Sequence, residues 1–451
     1  MTEEDLTLPE ALFKTMHHFA PRFLAALSQI PDPRNHKKIT YPLAEELLLG
    51  ILLFVLKLEA RRNLKFQLNS REFIQNIKGI GKIFFPGQEF PETIPHGDTL
   101  NYVLEKIPDS EIGGLRTEII RELFRKKCLE DYRLLNRYYG VAIDGTGSLT
   151  FRQRHCPHCL VRHHKVQNKK NGSSAKIALY YHPVLEAKLV LSNGFAFSIA
   201  TEFIENERED VSKQDCELKA FKRLAEKLKR DFPQLHLCLL LDGLYAAEPV
   251  FKCCEQNHWA HLITFKEGSM SATFKEYESL KKISPKNALK VELENRAQTY
   301  SWVNDIDYND RLLNVLECQE KEAEKNTRFV FLSSFKLDVK NVEVLSREGR
   351  CRWKIENEGF NVQKNGGYGL EHAFSFHTEA MKNFYLLMQI AHIFNQLIEK
   401  GSLLRERIQR TLGSLKVFSR KLLASLTEKI IDLDRLRILL AQRIQVRFDS
   451  S

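Results

Sequence analysis

Residues 138 to 266 alternate β-rich runs with helical segments in a distinctive order. Gly and Asn turn signals separate the first four runs, which are YYGVAIDG, KIALYYHPVL, KLVLSN and FAFSIATEFI. An amphipathic helix is predicted over 213–232, where apolar residues recur every three or four positions: Leu218, Phe221, Leu224, Ala225 and Leu228. The strand HLCLLLDG, the helix YAAEPVFKCCEQNH and the strand AHLITF complete the order β-β-β-α-β-α-β. We therefore expect an α/β fold with a mixed sheet flanked by helices, in which three of the early runs form an antiparallel meander.

The chain on either side of this segment has a different character. Residues 1–130 are predicted to form a helical N-terminal region, and 131–269 the first part of the α/β core. Polar residues and short predicted strands indicate a β-rich insertion over 270–326. The core resumes over 327–400 with the strand TRFVFLSSF and a later helix. Residues 401–451 are predicted to be helical and basic, with eleven Lys and Arg against five acids.

The composition is that of a folded, non-secreted protein. Of the 451 residues, 43% are hydrophobic and 28% are charged, and a net charge of +10 suggests a polyanionic partner. The longest apolar run, Leu47 to Leu56, is ten residues, whereas a membrane span needs about 20. An acidic N-terminus without a secretory signal and an odd number of cysteines, nine, favour a reducing cytoplasm. No GxxxxGK[ST] phosphate loop is present, so we expect no nucleotide cofactor.

Two apolar runs end on the same dipeptide. VAIDG ends with Asp144 and Gly145, and LCLLLDG ends with Asp242 and Gly243. We expect both carboxylates to lie where a central strand meets its loop, which is where α/β sheets bind ligands. Taken singly, each Asp-Gly pair is also a good turn starter. A third acid that matches them favours a shared site.

The segment CRWKIENEGFNVQKN offers two candidates for this third acid, Glu356 and Glu358, which point to nearly opposite sides of a helix. Arg352 lies one turn before Glu356 on the same face. Trp353 and Phe360 are predicted to form an apolar stripe beside it that holds the helix on the core. We therefore choose Glu356. A solvated Arg-Glu pair on a surface helix is the alternative.

Three carboxylates brought together by a sheet and a helix repel one another, so they are suited to binding divalent cations, Mg²⁺ or Mn²⁺. Two such ions about 3.5 to 4 Å apart activate the attacking oxygen and stabilise the leaving oxygen in phosphodiester displacement. Arg352 and Lys364 would then bind the phosphates of the substrate.

These segments together resemble the DDE transposases of bacterial insertion sequences. The resemblance covers residues from about 30 to 400 and is carried by IPDPR, AIDGT, KQDCELKAF, LLLDGLYA, RWKIENEGFNVQKN and YGLEHAF, in that order. It implies a ribonuclease-H-like core, a catalytic and metal-binding triad of Asp144, Asp242 and Glu356, and phosphate binding by Arg352 and Lys364. It also implies that 270–326 is the β-rich insertion of one large branch of that family.

The chain departs from that branch at two positions. The branch often has a tyrosine three residues before the arginine and a lysine seven residues after the glutamate, and Gly349 and Gln363 occupy those positions here. Lys364 follows one step later and is rotated by about 80° from Glu356 on an ideal α-helix. A long side chain at this position would still reach a phosphate.

A basic stretch follows the first catalytic strand. Residues 145–185 contain no acid, and 152–176 contain seven Lys or Arg and four His. This composition predicts a surface that binds DNA phosphates without sequence specificity. The alternative is a solvated basic loop. The candidate contact residues are Arg162, Lys165, Lys169 and Lys170.

The same stretch contains CPHCLVRHH, in which Cys156, Cys159 and His164 have the spacing of three ligands of a zinc site. Lys169 occupies the place of the fourth ligand, so a closed site would require His158, His163 or a distant cysteine. Because a structural zinc site needs four ligands, the sequence favours a free-thiol, histidine-rich loop that faces DNA.

The resemblance implies a transposase that cuts double-stranded DNA at the terminal inverted repeats of its element and joins the released 3′ hydroxyl to target DNA. Residues 31–38 in the N-terminal region and the basic C-terminal helices are candidates for binding the repeats. A homodimer on DNA and association with a bacterial nucleoid are implied as well. Two other functions stay open, a transposase-derived DNA-binding protein without catalysis and a hydrolytic nuclease on the same fold.

Overall fold

The structure, a computed structural model, describes residues 6–167, 174–443 and 447–448. The N-terminal region is helical, as predicted, and its helices precede the first strand: α1 (Leu8–Phe19), α2 (Phe23–Leu27), α3 (Leu43–Val55), α4 (Asn63–Leu68), α5 (Arg71–Phe84), α6 (Gly97–Leu104) and α7 (Asp109–Arg125). The apolar run that was too short to span a membrane lies in α3 apart from Leu56, which caps the helix, and every residue of α3 is buried.

The α/β segment follows the predicted order with one additional strand. Its elements are β1 (Tyr139–Phe151), β2 (Leu160–Gln167), β3 (Ser174–Val190), β4 (Ala196–Phe203), α8 (Glu217–Asp231), β5 (Leu237–Leu241), α9 (Glu248–Asn257) and β6 (Ala260–Thr264). The amphipathic pattern of α8 is confirmed at four of its five apolar positions, because all but Leu218, which is 36% exposed in the first turn, are buried.

Two strand predictions were wrong. KIALYYHPVL and KLVLSN belong to one continuous strand, β3, because the charged Glu186 that interrupts the apolar pattern is satisfied inside the core. The hydroxyls of Thr201 and Tyr385 donate to Glu186 Oε2 at 2.8 and 2.9 Å. The second error concerns β2, which was read as a loop because its polar sequence has no apolar alternation, although it pairs with β3 throughout its length.

The segment after β6 opens with a helix that the β-rich description of 270–326 did not include. Its elements, together with the strand that ends it, are α10 (Ser271–Ile283), β7 (Ala288–Leu293), β8 (Arg296–Tyr308), β9 (Arg311–Glu322) and β10 (Lys325–Ser333). Strand β10 pairs with both β9 and β6, so these strands extend the central sheet and do not form a separate one.

The strands form one ten-stranded mixed sheet in the order β2-β3-β1-β5-β6-β10-β9-β8-β7, with β4 paired to β3. Strand β1 runs antiparallel to β3 from Val141 to Phe151 and parallel to β5 only from Tyr139 to Ala142. Strands β5 and β6 are parallel. The α/β class and the mixed sheet of the prediction are therefore confirmed.

Helices complete the chain after the sheet. They are α11 (Val342–Arg350), a 3₁₀ turn (Cys351–Trp353), a π-helix (Ile355–Asn361), α12 (Val362–Asn365), α13 (Thr378–Lys400), α14 (Arg405–Arg407), a second π-helix (Ile408–Leu412), α15 (Leu415–Glu428) and α16 (Leu433–Ala441). Helix α13 is buried almost throughout and packs against α3, α7 and β4. One apolar cluster extends from Leu6 to Leu439 and joins the N-terminal helices, the sheet and the C-terminal helices.

Candidate active site

Asp144 lies within β1, two residues beyond the last residue that pairs with β5. The expectation that it sits at a strand end is therefore wrong, because β1 continues to Phe151 on its pairing with β3 alone. The loss of β5 as a neighbour leaves the Asp144 side chain half-buried at the edge of the parallel part of the sheet. Its Oδ1 accepts the Gly145 N–H at 2.9 Å, and its Oδ2 accepts from Arg352 Nη1 at 3.2 Å.

Asp242 follows directly on the buried strand β5, as the sequence predicted. Its Oδ1 accepts the backbone N–H of Leu244 at 2.9 Å, which opens a 3₁₀ turn over Gly243–Tyr245. Since β1 and β5 are parallel neighbours, Asp144 lies beside the C-terminal end of β5, where Asp242 stands.

Glu356 lies in the first turn of the π-helix. The stripe that was predicted to hold this helix is half wrong, because Phe360 is buried but Trp353 is 54% exposed. Trp353 instead stacks under the guanidinium of Arg352, 4.5 Å from its ring centre, and Ile355 is the second buried anchor.

Two of the three predicted acids, Asp242 and Glu356, act electrostatically on the third, Asp144. Burial raises the pKa of the Asp144 carboxyl, and the charges of Asp242 and Glu356 raise it further, whereas Arg352 and the Gly145 N–H lower it. Glu358 has a different surrounding, since its Oε1 lies 4.0 Å from Lys354 Nζ. The structure thus brings together Asp144, Asp242 and Glu356, with one arginine as partial compensation.

A fourth acid, Glu217, was missed by the sequence reasoning. It lies in the first turn of α8, and burial raises its pKa, followed by the charges of Asp144 and Asp242. The Tyr245 hydroxyl donates to Glu217 Oε2 at 3.3 Å. Gly145 makes the approach possible, because a Cβ at this position would lie 2.4 Å from Glu217 Oε1. The available signal was the position of Glu217 at the start of the helix that leads into β5.

Lys364, which was predicted to bind phosphate, pairs with a different acid. Lys364 Nζ lies 3.6 Å from Glu371 Oε1. The rotation of about 80° calculated for it is invalid, because residues 355–361 are π-helical and not α-helical. Gln363, which stands where the family branch has lysine, is buried and donates to Gln389 Oε1 at 2.8 Å.

Gly349 stands where that branch has tyrosine, and packing explains the difference. A Cβ at Gly349 would lie 2.7 Å from Phe331 Cε1 on β10. A larger side chain would therefore push α11 away from the sheet. The glycine allows α11 to approach the strand that precedes it.

The basic stretch is divided between described and undescribed residues. Arg162 and Lys165 are exposed on β2, and the guanidinium of Arg162 lies 5.1 Å from the ring centre of Tyr181 on β3. Lys169 and Lys170 lie outside the described residues. We call the paired segments of β2 and β3, residues 160–167 and 174–181, the basic hairpin.

The acidic side chains fit a hard divalent cation. Carboxylate oxygens are the ligands that Mg²⁺ and Mn²⁺ prefer. Burial and, after it, the charges of neighbouring acids raise the pKa of Asp144 and of Glu217, and a cation would offset both effects. Among the described residues these acids do not form a closed ligand group, so their side chains would have to turn inwards to bind one.

Of the three residues with zinc-site spacing in the sequence, His164 does not lie with the two cysteines. His164 is exposed on β2, as is His163, and His158 Nδ1 lies 2.8 Å from the carbonyl oxygen of Asn206. Cys156 and Cys159 instead lie beside two other histidines, whose arrangement is described below.

No protein-family model matches the chain, and no curated protein matches it. In the described part of the chain, every helix falls short of the combination of length and apolar character that a membrane crossing requires. A functional assignment therefore depends on the side chains of the site.

Proposed function

We propose that this protein is a metal-dependent DDE transposase, which cleaves DNA at the ends of a mobile element and transfers the released 3′ hydroxyl to target DNA. The observation that carries the proposal is the electrostatic effect of Asp242 and Glu356 on Asp144. These acids come from two neighbouring strands and a distant helix. Half-buried acids that repel one another at a sheet edge are typical of catalytic metal sites.

The strand order supports a ribonuclease-H-like core. Strands β4, β3 and β1 run antiparallel, and β5 and β6 continue the sheet in parallel to β1. In this proposal the two aspartates stand on the first strand and at the end of the fourth strand of the core, and the glutamate stands on a later helix. Strand β2 is then an arm added to the core, and β7–β9 with α10 are the insertion.

The residues of the site have distinct roles in the proposed reaction. Asp144, Asp242 and Glu356 would hold the divalent cations. When bound, such cations activate the attacking oxygen and stabilise the leaving oxygen of a phosphodiester. Arg352 is positioned at Asp144 with a guanidinium that can offer parallel N–H donors to a phosphate. Glu217 orients Tyr245 and adds negative charge beside Asp144.

Two basic surfaces supply phosphate contacts for this function. One is the basic hairpin. The other is a groove between the inserted strands and α11, which is lined by four cations and one acid, with Trp353 at its wall: Arg296, Arg347, Arg350, Lys354 and Glu343. Cations spread over two surfaces favour double-stranded DNA as the partner. Pairing of two element ends would require a homodimer, and binding to DNA would place the protein on the nucleoid.

The test uses purified protein with Mg²⁺ and a DNA fragment that carries the sequences flanking its gene, including the terminal repeats. A transposase gives nicks at the repeat ends and, with added plasmid, joined products. Nicks without joining would indicate a hydrolytic nuclease on the same fold, and binding without either product would indicate a non-catalytic descendant. An Asp144→Asn variant controls for contaminating nucleases.

A further inference from the structure

Two cysteines and two histidines form a compact cluster at the base of the basic hairpin. Cys156 and Cys159 lie in the connection from β1 to β2, with His155 directly before them. His182 comes from β3, opposite Leu149 of β1. One ligand atom from each of the four side chains lies within 4.8 Å of all the others. Cys159 is 0% and His182 is 7% exposed, whereas His155 and Cys156 are half-buried, so two of the four side chains are inside the protein.

Four of the distances between the ligand atoms match those of a tetrahedral ligand set. The two sulfur atoms are 3.5 Å apart, and His182 Nε2 lies 3.5 Å from Cys156 Sγ and 3.3 Å from Cys159 Sγ. His155 Nδ1 lies 3.5 Å from Cys159 Sγ. A zinc ion with Zn–S of about 2.3 Å and Zn–N of about 2.0 to 2.1 Å separates its tetrahedral ligand atoms by about 3.3 to 3.8 Å.

The surroundings of the cysteines hold them in this arrangement. Asn206 Nδ2 donates to the carbonyl oxygen of Cys159 at 3.0 Å, and the Asn206 N–H donates to the carbonyl oxygen of His158 at 3.1 Å. The ring of Phe151 lies 4.2 Å from the ring of His155. The turn between the cysteines is thus fixed to the chain after β4, and an aromatic ring covers one side of the cluster.

We propose that His155, Cys156, Cys159 and His182 bind one structural Zn²⁺. All four positions of a tetrahedral ion are filled by protein atoms, which is the arrangement of structural and not catalytic zinc. Binding converts the two thiols to thiolates and releases their protons to solvent. The site lies outside the acidic centre, shares no ligand with it and does not depend on the proposed transposase activity.

A bound zinc ion would restrain the basic hairpin. Zinc would join the β1–β2 connection to β3 at the base of the hairpin, near the end of β1. The hairpin would then have a fixed direction relative to β1, which carries Asp144. Insofar as the hairpin binds DNA, a role that rests on the proposed function, the metal would set the position of Arg162 and Lys165 relative to the acids.

The test measures metal on the full-length protein. Reduced, chelator-treated protein is titrated with Zn²⁺, and bound metal is measured by mass spectrometry. We expect one zinc per chain and, with Co²⁺ in its place, the visible absorption of a tetrahedral site with thiolate ligands. Cys159→Ser and His182→Ala should each remove the bound metal. His164→Ala and Cys216→Ser, two exposed positions outside the cluster, should retain it.

Three results would overturn the proposal. The first is reduced wild-type protein that binds no stoichiometric zinc. The second is zinc that persists in His182→Ala but is lost in His164→Ala, which would restore the ligand set read from sequence spacing. The third is a Cys156–Cys159 disulfide that persists in zinc-treated protein. The cobalt spectrum of wild-type protein requires no variant to fold, and Glu356→Gln should retain zinc, so failure of this site is distinguishable from failure of the proposed function.

Discussion

Glu217 lies beside Asp144 and Asp242 because three local features coincide at one edge of the sheet. Helix α8 leads into β5, so its first turn faces the edge where Asp242 emerges. Gly145 leaves space for the carboxylate, and Tyr245 donates to it. The sequence predicted the helix, but no pattern within α8 distinguishes Glu217 from a solvated acid. Its role depends on the pairing of β1 with β5, which only the folded chain provides.

We expect Glu217→Gln to weaken Mg²⁺ binding at the proposed active site, although all three acids of the triad stay in place. The substitution keeps the size of the side chain but removes a carboxylate on which the charges of Asp144 and Asp242 act. The Mg²⁺ concentration needed for half-maximal DNA cleavage should rise by about tenfold, as is common when a residue beside metal ligands is changed. Cleavage measured over a Mg²⁺ series tests this expectation.

The matched control for this variant is Glu226→Gln, an exposed acid on the same helix. It should leave the Mg²⁺ dependence unchanged. An equal Mg²⁺ dependence in wild type and Glu217→Gln would show that Glu217 only fills space beside Gly145.

At the scale of elements, the basic hairpin shows how pairing overrides local sequence. Strand β2 has no apolar alternation, yet it pairs with β3 from Leu160 to Gln167. The same pairing brings His182 to Cys159, which is why the spacing of cysteines and histidines in the sequence indicated the wrong ligand. A ligand 23 positions away in the chain cannot be chosen from spacing before the register of the strands is known.

We expect the double substitution Arg162→Ala and Lys165→Ala to reduce DNA affinity in a manner that depends on salt. Each phosphate contact adds about 0.9 to the slope of log affinity against log salt, so losing two contacts should lower the slope by about 2. Fluorescence anisotropy of labelled duplex DNA at several salt concentrations measures this slope. Substitution of the exposed Lys126 and Lys127 at the end of α7 is the control. An unchanged slope in the hairpin variant would exclude the hairpin from DNA binding.

Glu46 in helix α3 should make the stability of the protein depend on pH. Burial raises the pKa of Glu46 from 4.5 to about 8, with Arg34 lowering it and Asp32 raising it. Neither Glu46 oxygen has a hydrogen-bond partner among the described residues. The folded state therefore favours the protonated acid, and this contribution to stability is fully present below about pH 4.5 and is lost as the pH rises towards about 8.

Glu46→Gln should reduce this loss, because the amide does not ionise. The difference in the free energy of unfolding between pH 5 and pH 8, measured by urea denaturation, should be smaller in Glu46→Gln than in wild type. The exposed Glu89→Gln should behave like wild type. An unchanged difference in Glu46→Gln would mean that Glu46 is ionised and paired in the folded protein.

At the scale of the whole molecule, the sequence predicted the α/β class, the helical ends and the order of most strands, because hydrophobic periodicity reports local burial. It did not predict that β7–β9 extend the central sheet or that one core joins α3, α13 and the C-terminal helices. These features depend on contacts between distant segments. The sequence also placed Asp144 at the end of a strand, whereas it lies within β1. The pairing with β5 ends before Asp144, but β1 continues on its pairing with β3.

The most direct test of the central claim compares Glu356→Gln with Glu358→Gln in the DNA cleavage and joining assay with Mg²⁺. Both variants change one carboxylate to an amide in the same π-helix, but only Glu356 acts on Asp144. The account predicts that Glu356→Gln loses cleavage and joining while retaining DNA binding, and that Glu358→Gln keeps both activities. Full activity in Glu356→Gln, or its loss only in Glu358→Gln, would contradict the assignment of the third acid and with it the proposed active site.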